Sequence, residues 1–183
     1  MSIELLTLGH GTASSEQLAS LIRGAAIGSL VDVRSVPKSR RHPHFWREEM
    51  ERWVPEMAGS SYRWEGELGG FRKPNVESNN VALRHPSFRA YADYMENDRF
   101  EDALTALLEQ AAIMRVAILC SETLWWRCHR RLISDAAVLA RGVHVQHLMH
   151  DGALLPHLPT PCARLTGNGK LRYDLLFQND TPI

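Results

Sequence analysis

Apolar residues along the chain form short continuous runs that alternate with stretches of helical spacing. The runs predict five strands, at residues 3–8, 29–33, 62–64, 116–120 and 143–149. The spacing predicts helices over residues 14–25, 46–57, 88–95, 100–111 and 127–141. Strands that alternate with helices favour right-handed βαβ units and a parallel sheet covered on both faces. The sequence therefore predicts a single-domain α/β fold with a mainly parallel, Rossmann-like three-layer sheet.

Two segments lack this alternation. Residues 66–86 are rich in Gly, Asn, Pro and Ser without a sustained period, so they are expected to form a long loop that covers part of the molecule. The tail from Pro156 to Ile183 contains Gly167-Asn168-Gly169, which favours a small hairpin. We assign residues 1–155 to the α/β domain and residues 156–183 to a C-terminal extension packed on the same domain.

Composition narrows the class of protein but does not identify a partner. The 183 residues are 44% apolar and 23% charged, as in ordinary globular proteins. Lysine and arginine together number 21 and balance 21 acidic residues, so no overall charge attracts nucleic acid and any phosphate site must be local. Three cysteines are too few for a disulfide framework, which favours a reducing cytoplasm. No secretory leader or membrane-length apolar segment is evident.

The candidate site follows from where ligands bind in such sheets, at the carboxyl ends of the strands where the strand order reverses. With a strand order of 3-2-1-4-5, the crevice lies between the loop after the first strand, which carries Gly9-His10-Gly11, and the loop after the fourth, which begins at Cys120. We therefore expect Gly9 and Gly11 to contact a ligand and His10 to carry a proton. A tight structural turn explains the two glycines equally well.

A local cationic and aromatic patch lies in the loops predicted for this edge. Residues 34–47 contain five basic side chains and no acidic one. Arginine on phosphate and tryptophan under a base are typical contacts for nucleotides and single strands. The predicted ligand-binding side chains are Arg34, Arg40, Arg41, Trp125, Trp126, Arg127, Arg130 and Arg131. The alternative is that these arginines are solvated or paired with acidic neighbours.

Several motifs occur in one order and point to a family. They are Thr7-Leu8-Gly9-His10-Gly11, Asp32-Val33-Arg34-Ser35-Val36-Pro37, Leu68-Gly69-Gly70, His85-Pro86-Ser87-Phe88-Arg89 and the element Cys-x-Glu-x5-Cys-His-Arg over residues 120–130. From about Leu5 to Tyr173 the chain resembles the bacterial family catalogued as domain of unknown function 488. Its tandem tryptophan and its Arg-Arg-His-Pro loop place it in one subgroup. The resemblance implies a cytoplasmic α/β fold and supplies no established reaction.

The residues themselves leave several kinds of chemistry open. Predicted catalytic groups are His10, Asp32, Cys120, Glu122, Cys128 and His129. In the leading hypothesis Asp32, Glu122 and His10 orient groups or transfer protons for a nucleotide or nucleic-acid-like anion. In the alternative, Asp32 or Glu122 forms a structural ion pair with Arg34 or Arg130, because an unpaired buried charge is costly.

Two further hypotheses use the cysteines or no reaction at all. Cys120 or Cys128 is a candidate nucleophile in a thiol-dependent enzyme, activated by His10, His129 or Arg130. The start of the predicted helix is expected to lower the pKa of Cys128. Soft ligands near one turn suit zinc or iron, with Cys120, Cys128, His129 and His10 as the set. Adjacent Cys128 and His129 on a helix point about 100° apart, however, so we assign no metal ligands from the sequence. A non-catalytic nucleic-acid-binding module is the last alternative, and the oligomeric state is open.

Overall fold

A computed structural model describes residues 3–175 as a three-layer α/β sandwich. The central strands are β1 Glu4–Gly9, β2 Ser29–Asp32, β3 Ser61–Trp64, β4 Val116–Cys120, β5 His144–Leu148 and β6 Leu154–Pro156. The helices are α1 Ser15–Gly24, α2 Arg47–Trp53, α3 Pro86–Tyr94, α4 Asp98–Ile113 and α5 Arg130–Arg141. A hairpin of β7 Ala163–Leu165 and β8 Leu171–Tyr173 follows, as the Gly-Asn-Gly turn predicts.

The sheet order is β3-β2-β4-β1-β5-β6, with only β6 antiparallel to its neighbour. The predicted order 3-2-1-4-5 is therefore wrong, because β4 lies between β2 and β1. All five residues of β4 are apolar and buried, which suits a central strand covered on both faces. The loops that follow β1, β2 and β4 consequently meet at one carboxyl edge.

Alternate residues of the strands fill two separate cores. On one face Leu6 and Leu8 pack with Leu18 and Ile22 of α1 and Met50 of α2. On the other, α3, α4 and α5 cover the sheet; their buried residues include Tyr91, Leu104, Leu107, Leu132 and Ile133. None of the helices among residues 3–175 has the length and apolar character needed to traverse a lipid bilayer.

Two predicted helices differ from their patterns at one end, and the second difference matters for the site. The helix predicted over residues 46–57 is α2 followed by a π-helical turn over Val54–Ala58, where Pro55 lacks a backbone donor. The helix predicted from Arg127 begins only at Arg130, and Cys128 before it is extended, at φ −128° and ψ 151°. The short strand β6 has no counterpart in the prediction.

Asp135 of α5 ties the C-terminal segment to the sheet through a buried polar network. Its carboxylate accepts from the Thr160 hydroxyl at 2.7 Å and the Tyr173 hydroxyl at 3.0 Å, and lies 2.8 Å from His157 Nε2. His157 Nδ1 lies 3.0 Å from His147 Nε2 in β5. Because buried polar groups are costly unless paired, each member depends on the others.

Asp135→Ala is expected to destabilise the protein by about 3 kcal/mol or more, because it leaves several buried donors without an acceptor. The measurement is the free energy of unfolding from urea denaturation. Asp102→Ala, at an exposed position on α4, is the matched control and is expected to stay within about 0.5 kcal/mol of the parent. Equal effects of the two substitutions would contradict the role given to Asp135.

Candidate functional site

The turns after β1 and β4 are joined directly at the carboxyl edge. His10 N–H donates to the Cys120 carbonyl at 3.0 Å and Gly11 N–H to the Ser121 carbonyl at 2.8 Å. A Cβ on Gly9 would lie 1.9 Å from the Glu122 carbonyl oxygen, so only glycine allows this approach. Gly9 and Gly11 thus have a structural role in bringing the two turns together.

Asp32 and Arg34 form a closed buried ion pair. Arg34 Nε donates to both Asp32 oxygens, at 2.9 and 3.0 Å, and a terminal nitrogen donates to the Phe45 carbonyl at 2.8 Å. Tyr62 O–H donates to the same carboxylate at 2.7 Å. Because Arg34 is 4% exposed, its guanidinium is occupied within the protein, which favours the ion-pair interpretation over a phosphate contact.

His10 is also enclosed rather than presented at a pocket. Its ring stacks on Phe45 with centroids 4.1 Å apart, and its Nδ1 lies 2.9 Å from the Gly11 carbonyl. Burial, together with the Arg34 charge, lowers the pKa of His10 to about 4. The imidazole is therefore neutral near pH 7.

Cys120, Cys128 and His129 form a buried sulfur–imidazole cluster at the end of β4. His129 Nδ1 lies 3.8 Å from Cys120 Sγ and 3.6 Å from Cys128 Sγ. The prediction that Cys128 and His129 point apart on a helix is wrong, because both residues precede α5. Extended backbone at Cys128 allows the two side chains to converge.

Neighbouring groups hold this cluster in place. His129 Nε2 lies 2.9 Å from the Val33 carbonyl, and its ring packs edge-on against Tyr91 with centroids 5.1 Å apart. Arg130 Nε donates to Cys128 Sγ at 3.3 Å. Cys120 Sγ donates to a Glu122 carboxylate oxygen at 3.1 Å.

The two thiols differ in acidity. The neighbouring Cys128 sulfur, together with burial, raises the pKa of the Cys120 thiol well above its ordinary value. Burial alone would raise the pKa of Cys128 as well, but the Cys120 thiol and the Arg130 guanidinium hold it well below its ordinary value. Cys128 is thus the sulfur whose negative charge the surroundings stabilise.

Two members of the cluster, Cys128 and His129, form one wall of a pocket of about 380 Å³, here called the carboxyl-edge pocket. Its other walls are the loop before α3, the start of α3 and the turn before α5. The lining residues are Gly70, Phe71, His85, Ser87, Phe88, Glu122, Trp126, Arg127, Cys128 and His129. The loop predicted to cover part of the molecule supplies Gly70, Phe71 and His85.

Not all predicted ligand-binding residues reach this pocket. Trp126 is 44% exposed and lines it beside Arg127. Trp125 instead stacks on His147 at 4.0 Å and 8°, so its ring face is occupied inside the protein. Arg130 is 1% exposed and its guanidinium donates to the Glu122 carbonyl, and Arg131 lies over the Phe88 ring. Arg40 and Arg41 are exposed on a separate loop and do not line the pocket.

Sequence reasoning missed several residues that shape the site. Phe71 and His85 belong to a segment without periodicity, so no pattern marked them as pocket residues. Tyr62 and the Val33 carbonyl were missed because their partners are distant in sequence. Two motifs were available signals: His85-Pro86-Ser87-Phe88-Arg89, and Leu68-Gly69-Gly70, where a Cβ on Gly70 would lie 2.6 Å from His129 Nδ1.

The fold and site define an α/β protein with a sulfur–imidazole cluster at the carboxyl edge of a mainly parallel sheet. The chain belongs to the family described as domain of unknown function DUF488, whose profile matches residues 14–137. This range includes Asp32, Arg34 and the whole cluster, while His10 precedes it. No curated protein and no solved structure gives a significant match to the chain.

Two buried histidines are expected to make stability depend on pH. The pKa of His10 is about 4, and burial together with His157 lowers the pKa of His147 to about 3, against an ordinary value of 6.5. As the pH is lowered, these histidines take up protons in the unfolded chain before they do so in the folded protein. Their contribution to the free energy of unfolding is therefore complete above pH 6.5 and is lost as the pH decreases towards 4. Each histidine contributes up to about 1.4 kcal/mol per pH unit in that window.

Urea denaturation at several pH values between about 7.5 and about 5 measures this slope. His10→Gln and His147→Gln are each expected to flatten it. The exposed His144 provides the control variant His144→Gln, which is expected to keep the parental slope. A slope that neither buried variant changes would show that these histidines do not carry the effect.

Proposed function

We propose that the carboxyl-edge pocket binds a small phosphate-bearing, ring-containing ligand of the nucleotide type and presents it to the sulfur–imidazole cluster. The observation that carries this proposal is the composition of one pocket. The pocket is lined by the rings of Phe71, Phe88 and Trp126, by exposed Arg127 and by residues at the starts of two helices. It adjoins the sulfur–imidazole cluster. Its volume falls within the range of about 300–1,000 Å³ common for small-molecule sites.

Two helix N-termini at the pocket favour a negatively charged ligand. His85 and Ser87 lie at the start of α3, while Cys128 and His129 immediately precede α5. The N-terminal end of a helix carries a partial positive charge, which favours anions. At α3 the first N–H groups are bonded within the protein, since Ser87 N–H donates to His85 Nδ1 and Phe88 N–H to the His85 carbonyl, so this helix contributes its dipole rather than free donors. Exposed Arg127 adds a full positive charge at the same pocket. A phosphate group is the anion that suits this arrangement best.

The aromatic side chains of the pocket favour a ligand that contains a ring. Phe71 is 82% exposed and Trp126 is 44% exposed, which is unusual for large apolar side chains that line one pocket. A ligand ring that stacks on them removes that surface from water. Glu122, which is exposed at the same pocket, is placed to accept hydrogen bonds from a base or a sugar hydroxyl.

This proposal moves the phosphate contact from Arg34 to Arg127. The closed pair with Asp32 engages Arg34 inside the protein, so its substitution would test folding rather than ligand contact. The free cysteines support a reducing compartment, and we place the protein in the cytoplasm.

Arg127→Ala is expected to weaken binding of a nucleoside monophosphate about 10- to 100-fold, since a hydrogen bond to a charged group is worth about 1.5–3 kcal/mol. Trp126→Ala is expected to weaken it about 5- to 100-fold through lost stacking, while leaving inorganic phosphate binding nearly unchanged. Isothermal titration calorimetry against a panel of nucleoside mono-, di- and triphosphates measures both.

Arg52→Ala is the matched control, because Arg52 is a 66%-exposed arginine on the opposite face of the sheet. Equal affinities of the Arg127 and Arg52 variants, or no phosphate-bearing ligand bound at millimolar concentration, would contradict the proposal. Binding that requires a single-stranded oligonucleotide and is lost in Arg40→Ala/Arg41→Ala would instead identify a nucleic-acid-binding module that does not use this pocket.

A further inference from the structure

We infer that Cys120, Cys128 and His129 form a mononuclear zinc site whose fourth position opens towards the carboxyl-edge pocket. Among residues 3–175 they are the only group of three or more His, Cys, Asp or Glu side chains whose ligand atoms are gathered closely enough to hold one ion, all within 4.8 Å of one another. All three side chains are buried. Two thiolates and an imidazole are ligands that zinc prefers.

The spacing of the ligand atoms fits a tetrahedron. Zinc binds sulfur at about 2.3 Å and imidazole nitrogen at about 2.0–2.1 Å, so tetrahedral sulfur–nitrogen edges are about 3.5–3.6 Å long. The two sulfurs lie 3.6 and 3.8 Å from His129 Nδ1. The third edge, between the two sulfurs, is at most 4.8 Å, against about 3.8 Å in a tetrahedral site. One ion therefore fits among the three atoms once the sulfurs approach each other by up to about 1 Å.

The orientation of the His129 ring is that of a metal ligand. The Val33 carbonyl can only accept a hydrogen bond, so the 2.9 Å contact assigns the proton of the neutral ring to Nε2. Nδ1 then presents its lone pair towards both sulfurs. Metal-ligating histidines usually donate their other ring N–H to a carbonyl or carboxylate in this way.

The charges also balance. Two thiolates neutralise a divalent zinc ion, which lowers the cost of burying either alone. Arg130 Nε donates to Cys128 Sγ at 3.3 Å, a contact of the kind that stabilises a metal-bound thiolate. The Glu122 carboxylate, 3.1 Å from Cys120 Sγ, lies beside the site on the pocket side.

Three protein ligands leave one position for water or a substrate, as in catalytic rather than structural zinc sites. Cys128 and His129 both line the pocket, and we therefore place the fourth position on the pocket side. Zinc there would supply a Lewis acid or an activated water. The contact between zinc and a ligand in the pocket rests on the proposed function, whereas the metal site itself does not.

The test is metal binding by the full-length chain. Protein stripped with a chelator is titrated with Co²⁺ and with Zn²⁺ and monitored by absorption and by elemental analysis. We expect one ion per chain and, with cobalt, a thiolate-to-metal charge-transfer band together with the intense visible bands of a tetrahedral site. Zn²⁺ is expected to displace Co²⁺ and to protect Cys120 and Cys128 from alkylation.

Variants locate the site. Cys120→Ser, Cys128→Ser and His129→Ala are each expected to weaken zinc binding at least about 100-fold, more than typical losses of supporting residues. Cys162→Ser is the matched control, because Cys162 lies outside the cluster, and it is expected to keep full binding. Gly70→Ala, which places a methyl group against His129 Nδ1, is expected to weaken binding while all three ligands remain. Circular dichroism confirms that each variant is folded.

Three outcomes would overturn the zinc site. They are the absence of a cobalt charge-transfer band in folded protein, equal loss of binding in Cys162→Ser, and rapid alkylation of Cys128 that zinc does not slow. The last would identify Cys128 as a nucleophile of a thiol-dependent enzyme. Nucleotide affinity measured on metal-free protein separates the two proposals, because either zinc or nucleotide binding can fail while the other persists.

Discussion

The structure of the site depends on the position of β4 in the middle of the sheet. Its pairing with β1 places Cys120 beside Gly9, and its pairing with β2 places Leu119 beside Asp32. Val33 N–H donates to the Leu119 carbonyl at 2.9 Å, which holds the start of the β2 loop at the same level. The Val33 carbonyl in turn accepts a hydrogen bond from His129. The backbone just after β2 therefore orients the imidazole of the residue that precedes α5. The cluster thus follows from strand order.

Burial divides the charged residues of this edge into two groups. Asp32, Arg34 and His10 are enclosed between the sheet and the segment that carries Phe45, where they satisfy one another. Arg127 and Glu122 remain at the pocket surface, where ligands can reach them. Since burying a paired charge contributes little net stability and breaking the pair costs much, the first group is best understood as support for the turns. The second group is the part that can recognise a ligand.

Part of this arrangement is predictable from sequence. The alternation of apolar runs and helical spacing predicts the layers, and the cost of unpaired buried charge predicts partners for Asp32 and Arg34. Strand order is not predictable in this way, because no local pattern records which strands are neighbours. The directions of the Cys128 and His129 side chains depend on where α5 begins. The predicted start at Arg127 is three residues too early, and this error made the two side chains point apart instead of together. Phe71 and His85 had no periodic signal at all.

The central claim is that the end of β4 gathers two sulfurs and one imidazole around a position that faces the pocket. A crystal structure of the full chain grown with Zn²⁺, with anomalous data collected on both sides of the zinc absorption edge, tests it most directly. The account predicts one anomalous peak about 2.3 Å from both sulfurs and about 2.0–2.1 Å from His129 Nδ1, with its remaining side open to the carboxyl-edge pocket. A Cys128 side chain turned away from His129, or zinc bound only elsewhere, would contradict it.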